Sequence, residues 1–228
     1  MKKIRVLELF SGTHSVGKVC KEKNWDVVSL DLHNADINCD ILQWDYKNEY
    51  PIGYFDIIWA SPPCVFFSNL RFGIIGRKLK DGSIMTRKKI DDDMINKGLP
   101  ILRKTEEIIK YFKPKYFFIE NPQTGRMKNY MTDYNHYDVD YCKYGFDYRK
   151  RTRIWTNLKN FNAKLCKKDC GKMIKSDKRH FHRNNCGNNF YLKHAKQVSS
   201  YGGGTNRDMR YRIPSLLIND LLDNIQLP

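Results

Sequence analysis

Acidic residues are scarce in this chain: 25 Asp and Glu stand against 41 Lys and Arg in 228 residues, a formal net charge of +16. That exceeds the magnitude of about 2–8 usual for a small domain, and such an excess suits a polyanionic partner, nucleic acid before membrane. Long apolar runs are missing as well. With no stretch of about 18 apolar residues, no membrane-spanning helix and no membrane partner are expected. Met1-Lys2-Lys3 followed by Ile4–Leu9 is too short and too soon acidic for a secretory signal. The seven cysteines do not form an even set, which points to a reducing compartment and to catalytic or metal-binding thiols rather than a disulfide framework. The expected location is intracellular. There is neither an internal repeat nor a low-complexity tract, and 41% hydrophobic with 13% aromatic content argues against disorder. The length fits one domain, or one domain with a small appendage.

What is present alternates between strands and helices. Ile4–Leu9 reads as a buried strand broken by Ser11-Gly12, followed by a helix from about His14 to Lys23. Trp25–Leu30 is a second strand ending at Asp31, and Phe55–Ala60 a third, stopped by Ser61-Pro62-Pro63. A long polar loop is expected from about Val65 to Asp93, carrying Arg71, Arg77, Lys78, Lys80, Arg87, Lys88 and Lys89. Leu99–Phe112 has helical spacing and ends at Lys113-Pro114. Tyr116–Glu120 is a further strand, and Tyr137–Cys142 with Arg153–Trp155 form a final strand pair. Such alternation predicts an α/β domain with a largely parallel sheet, whose ligands sit beyond the carboxyl ends of the strands. Glu8-to-Gly12, Asp31, Pro63-Cys64 and Glu120 all fall at or just past those ends, so four polar features converge on one edge. From Asn157 to about Arg207 periodicity fades into a small irregular insert, and Ile213–Ile225 returns to helical spacing as a helix packing back on the main domain.

Several residue groups carry chemistry. Leu7 to Gly17 offers a strand, a glycine turn and a helix N-terminus, where backbone can approach a ligand closely. Asp31, about 20 residues on, is placed to accept hydrogen bonds from ribose hydroxyls. In Ser61-Pro62-Pro63-Cys64 two prolines stiffen the loop that presents a thiol, a good nucleophile once ionised. Glu120, in Glu120-Asn121-Pro122, stands at the mouth of an apolar strand, where partial desolvation would favour its neutral, proton-donating form. If Arg149–Arg153 is extended, Arg149, Arg151 and Arg153 share one face while Lys150 and Thr152 share the other. In the insert, Cys166, Cys170, His182 and Cys186 are the preferred ligands for a structural zinc, with His180 nearby; such a site would staple a core-poor segment. Each group has a plainer reading: a capping carboxylate, a buried thiol, a solvated basic strand.

As a set, Phe10-Ser11-Gly12, Asp31, Asp40-Ile41, Pro63-Cys64, Glu120-Asn121 and Arg149-x-Arg151-x-Arg153 resemble the DNA cytosine-5 methyltransferases, most of all the short forms of large DNA viruses and phages. The likeness covers nearly all of residues 1–157 and, more faintly, the C-terminal helix. It implies a Rossmann-like fold using S-adenosylmethionine (SAM), with residues 1–157 as the catalytic domain, 158–206 as a small target-recognition subdomain and 207–228 as a docking helix. It also implies double-stranded DNA as substrate and a monomer, in the nucleus or cytoplasm of a host if viral, or in the cytoplasm if bacterial or phage-borne. By that resemblance Phe10, Gly12, Asp31, Asp40, Ile41 and Pro63 hold the cofactor. Cys64 attacks C6 of a flipped-out cytosine, Glu120 protonates N3, and Arg153 with Arg151 grips the O2 edge of the base and the Glu120 carboxyl.

Departures from the family are concentrated at a few positions. His14 and Ser15 stand where glycine is usual, Val65 and Arg149 where Gln is, and Pro122 where Val is. The short segment after Trp155 implies short or relaxed sequence specificity. Rival readings are an adenine or cytosine amino-methyltransferase, which shares Ser-Pro-Pro but places an aromatic ring at position 64, and an RNA cytosine-5 enzyme. A tRNA-directed member of the same family and a catalytically inactive DNA-binding relative also remain.

Overall fold

The computed structural model describes residues 3–176, 179–182 and 211–226. Seven strands form one sheet: β1 (Arg5–Leu9), β2 (Asp26–Asp31), β3 (Ile37–Asn38), β4 (Ile57–Ala60), β5 (Tyr116–Pro122), β6 (His136–Asp140) and β7 (Arg151–Thr156). Their spatial order is β3-β2-β1-β4-β5-β7-β6. The first five neighbours run parallel, while β7 lies antiparallel to both β5 and β6. Helices α1 (Ser15–Glu22), α2 (Tyr46–Glu49), α3 (Arg87–Asp93), α4 (Leu99–Phe112) and α5 (Ser215–Asp223) supply the flanking layers. This is the expected α/β architecture.

The central strands β1, β4 and β5 form here because their side chains are largely buried on both faces of the sheet, so they read as mainly apolar runs. Leu7 and Leu9 of β1 join Ile58, Ala60 and Ile119 in a core shared with α4 and an aromatic group around Tyr46, Phe55 and Phe112. Val6, Ile57, Trp59, Phe118 and Ile154 face the other way, into a core shared with α1 and α5. Alternation along each strand divides the two cores.

The stretch expected to be a polar loop is more ordered than its composition implied. After Cys64 it forms short 3₁₀ turns and a small hairpin closed by the Lys78–Ile84 bridge, then enters α3. α3 continues through a π-helical turn, Met94–Gly98, into α4. Pro100 has no N–H to donate in the first turn of α4, and the widened turn precedes it. Acidic partners missed in the polarity pattern hold this region together: Arg71 pairs with Asp93 and Arg126 with Asp91.

Beyond β7 the segment expected to be irregular contains an antiparallel pair, β8 (Met173–Ser176) and β9 (Arg179–His182). α5 packs against α1, and its solvent-side ends are tied by Lys23–Asp223 and Lys164–Asp220 ion pairs. Leu217 and Leu221 are wholly buried in that contact. Leu217→Ala should therefore cost about 2–5 kcal/mol, read as a lower urea midpoint; an unchanged midpoint would put α5 outside the cooperative unit.

Candidate active site

The parallel register decides what meets what. Leu9 pairs with Ala60, and Ala60 with Ile119, so the residues that follow (Phe10, Ser61 and Glu120) lie side by side where the parallel pairing ends. A cavity of about 530 Å³ opens at that edge, within the range of small-molecule sites. Phe10, Gly12, Asp31, Asp40, Ile41, Pro63, Cys64 and Glu120 all line it. Eight of the ten residues expected to act in catalysis or cofactor binding thus meet at one place.

The turn after β1 is tightly wound. Phe10, Gly12 and His14 have φ of 59°, 46° and 55°, a left-handed region that costs non-glycine residues about 1–3 kcal/mol. The Ser11 N–H donates to the Leu30 carbonyl, and the Gly12 N–H donates to Asp31 Oδ2 at 2.8 Å. Asp31 Oδ1 accepts from the Leu32 N–H, so the carboxylate is oriented with lone pairs left for hydroxyl donors. His14 Nε2 lies 2.6 Å from the Asn34 carbonyl oxygen, a contact that holds the strained turn against the loop after β2.

Glu8 is buried beneath this turn and accepts the Val16 and Gly17 N–H groups at the start of α1. A Cβ on Gly17 would come within 2.7 Å of Glu8 Oε2, so glycine is what lets the helix close on the carboxylate. Desolvation outweighs those hydrogen bonds and raises Glu8 from 4.5 to about 7.

The thiol loop is fixed from three sides. The Asn121 side chain donates to the Pro62 carbonyl at 2.8 Å, and the Arg126 N–H to the Phe67 carbonyl at 2.8 Å. Gly98, in the π turn, is the third: a Cβ there would lie 2.7 Å from Phe66 Cβ.

Glu120 is only 6% exposed. Its Oε1 accepts from the Tyr141 hydroxyl at 3.0 Å and lies 3.5 Å from Lys150 Nζ, which also lines the cavity. Burial and the neighbouring Glu120 carboxylate push the Tyr141 phenol well above its ordinary value, which keeps it a donor.

Arg151 and Arg153 are not brought into the cavity. Arg151 pairs in fork fashion with the fully buried Asp140, at 3.0 and 2.7 Å, and Arg153 with Asp138, at 2.7 and 2.9 Å. Register gives the reason: Glu120 is opposite Ile154, so even-numbered residues of β7 share its face and the odd-numbered arginines point to the other. The expected alternation of the basic stretch holds; the face turned to Glu120 is the Lys150 one. Of the expected zinc ligands, Cys166 and Cys170 lie together with Cys142, which the spacing did not single out. The side chain of His182, and Cys186, lie outside the described residues.

No protein-family model matches the chain. The "Probable DNA (cytosine-5)-methyltransferase" of Frog virus 3 (isolate Goorha) is 45% identical over 225 residues, spanning 96% of this chain and 99% of that protein. The chain belongs to the DNA (cytosine-5)-methyltransferase family. Two solved structures are more distant. The E. coli "putative DNA modification methyltransferase encoded within prophage Cp" has 15% identity and a TM-score of 0.43 over 68% of this chain; the Entamoeba histolytica methyltransferase EhMeth has 17% and 0.47 over 73%. The chain spans 46% and 56% of their lengths. As a member of this methyltransferase family the chain is an enzyme that uses SAM, and the cavity suits that cofactor. Leu30, Ile41 and Pro63 offer apolar surface to a purine, and Asp31 offers an acceptor to a ribose. Left-handed His14 also accounts for the glycine usual at that position in the family.

Two further groups at the site carried no sequence signal of their own. Lys150 falls on the face of the basic stretch opposite the arginines, and Tyr211 and Ile213, which also line the cavity, precede the last helix, whereas the spacing predicts Ile213 within it. Among the described residues, no helix is long and apolar enough to cross a membrane.

The raised Glu8 gives a pH dependence with a definite sign. Its folded value lies above its unfolded one, so the associated stability is fully present below about pH 4.5 and is lost as pH rises through about 7. The loss should be on the order of 3 kcal/mol. Glu8→Gln should flatten that part of the profile, measured as urea midpoints from pH 5 to 8; an identical slope in the variant would remove Glu8 as its source.

Proposed function

We propose that the chain methylates C5 of cytosine in double-stranded DNA, with Cys64 as nucleophile and Glu120 as the proton-bearing group. The observation that carries this reading is that Cys64 and Glu120, delivered by the neighbouring strands β4 and β5, line one cavity with the glycine turn and Asp31. A thiol and a carboxyl around one hollow suit addition to a ring that is too weakly electrophilic at C6, and too weakly nucleophilic at C5, to react alone. SAM, when bound, supplies an electrophilic methyl group.

The residues divide the work as follows. The Cys64 thiolate forms a bond to C6 while Glu120 holds a proton at N3, so the ring electrons collect at C5 as in an enamine. After C5 has taken the methyl group, a base removes the C5 proton, the Cys64–C6 bond breaks to restore the thiolate, and the N3 proton returns to Glu120. Covalent addition replaces one hard step by easier ones. Tyr141 and Lys150 orient the Glu120 carboxyl, and Lys150 is the cation we assign beside the base, in the place where the arginines were expected. Arg151 and Arg153 position β6 and β7 through Asp140 and Asp138. Asp31 and Ile41 hold the cofactor, Asp40 flanks it, and Phe10, Gly12 and Pro63 shape its slot. The base must leave the duplex to reach this cavity, at a cost of a few kcal/mol. Arg77, Lys78 and Lys80, exposed on the hairpin beyond Cys64 and without an acidic partner among the described residues, are the phosphate contacts we assign.

With a tritiated methyl donor and duplex DNA, label should enter cytosine C5, and Cys64→Ser should reduce it to background. DNA carrying 5-fluorocytosine should trap a covalent adduct in the native chain and none in Cys64→Ser. Label on adenine, on an exocyclic nitrogen, or on tRNA in preference to DNA would overturn the assignment. Lys150→Met should lower kcat by about 10²-fold with folding intact, whereas Arg153→Met should chiefly lower thermal stability; the reverse pattern would return the catalytic cation to Arg153.

A further inference from the structure

Among the described residues outside the cavity, one cluster of ligating side chains stands apart. Cys142 lies in the 3₁₀ turn Tyr141–Tyr144 that follows β6, while Cys166 and Cys170 come from the segment after β7. Their sulfur atoms all lie within 4.8 Å of one another. With zinc–sulfur bonds of about 2.3 Å, a tetrahedral site needs sulfurs about 3.8 Å apart, a small contraction from this arrangement. Cys142 and Cys166 are 4% and 8% exposed, so the cluster is largely shielded from water.

The surrounding backbone is arranged to hold this pocket of thiols. The Cys166 N–H donates to buried Asp140 at 2.8 Å, and the Asp140 N–H donates to the Lys164 carbonyl, joining the two segments on either side of the cluster. Lys143 pairs with Asp169, and Asp169 also accepts the Lys167 N–H, which closes the loop between Cys166 and Cys170. Lys168 and Gly171 are both left-handed, with φ of 71°, so the chain curls back to present its two thiols on one side. Backbone N–H groups of Lys168 and Asp169 are directed at the Cys166 sulfur, the kind of outer hydrogen bonding that orients a ligating thiolate.

We propose that Cys142, Cys166 and Cys170 bind a structural zinc ion that fastens the segment after β7 to the turn after β6. Three thiolates from two separate segments select a thiophilic ion of tetrahedral preference. The ion would sit one residue from Tyr141, whose hydroxyl holds Glu120, so it also braces the turn behind the candidate active site. Cys142 is the ligand that distinguishes this site from one made within the insert alone. Binding here does not depend on the reaction assigned to Cys64.

The full chain, purified without chelator, should contain about one zinc per molecule. Cys142→Ser and Cys166→Ser should fall to background, while Cys39→Ser, at the opposite edge of the sheet, should retain the metal. Should the serine variants fail to fold, the native chain still gives an answer: cobalt substitution should produce thiolate-to-cobalt charge-transfer and tetrahedral d–d bands. Metal should also protect Cys142, Cys166 and Cys170 from alkylation until a chelator is added. A metal-free chain with no cobalt spectrum, a disulfide between any two of the three, or full metal content in folded Cys142→Ser would each overturn the proposal.

Discussion

Parallel pairing of β1, β4 and β5 is the constraint on which the site depends. Because all three strands run the same way and are buried on both faces, their carboxyl ends finish at one edge with a register that the core does not allow to slip. The glycine turn, the Pro-Pro-Cys loop and Glu120 are continuations of those ends. A slip of one residue in β5 would turn Glu120 to the opposite face and bury Ile119 where the cavity now opens.

Loops that continue stiff strands still need pinning, and here two glycines and an asparagine do it. Gly17 lets α1 close on Glu8, and Gly98 lets the π turn meet Phe66; a methyl group would collide in both places. Asn121 spends its amide on the Pro62 carbonyl, coupling the strand that carries Glu120 to the loop that carries Cys64. The widened turn before Pro100 joins α3 and α4 into one support for that loop. Packing and hydrogen bonding thus help to set the separation of thiol and carboxyl.

Charge is instead invested in the antiparallel half of the sheet. Asp138 and Asp140 on β6 take up Arg153, Arg151 and Arg149, and Asp140 reaches on to Cys166. A fully buried carboxylate is tolerable only with such complete pairing. Asp140 is in consequence held below the ordinary carboxylate range by its arginine and backbone donors, against the opposing effect of burial. One acidic side chain connects the basic strand, the turn that bears Tyr141 and the cysteine-bearing segment.

Much of this was legible in the chain. Largely apolar stretches at Ile4–Leu9, Phe55–Ala60 and Tyr116–Glu120, each ended by a turn, point to the strands, the parallel order and the polar edge, because burial on both faces leaves a local pattern. The same stretches, together with Trp25–Leu30, place Phe10, Gly12, Asp31, Cys64 and Glu120 at one edge. The facing of the basic stretch was not legible: alternation separates Lys150 from Arg151 and Arg153, but only the pairing of Glu120 with Ile154 says which set looks inward. The order within 65–98 escaped because its stabilising ion pairs, such as Arg71 with Asp93, join residues far apart in sequence. Cys142 escaped for the same reason, since its neighbours Cys166 and Cys170 come from beyond an intervening strand. Local periodicity and strand ends therefore determined the fold and the position of the site. Cross-strand register and contacts between distant segments, which leave no trace in local sequence, decided which cation faces the carboxyl and which cysteines meet.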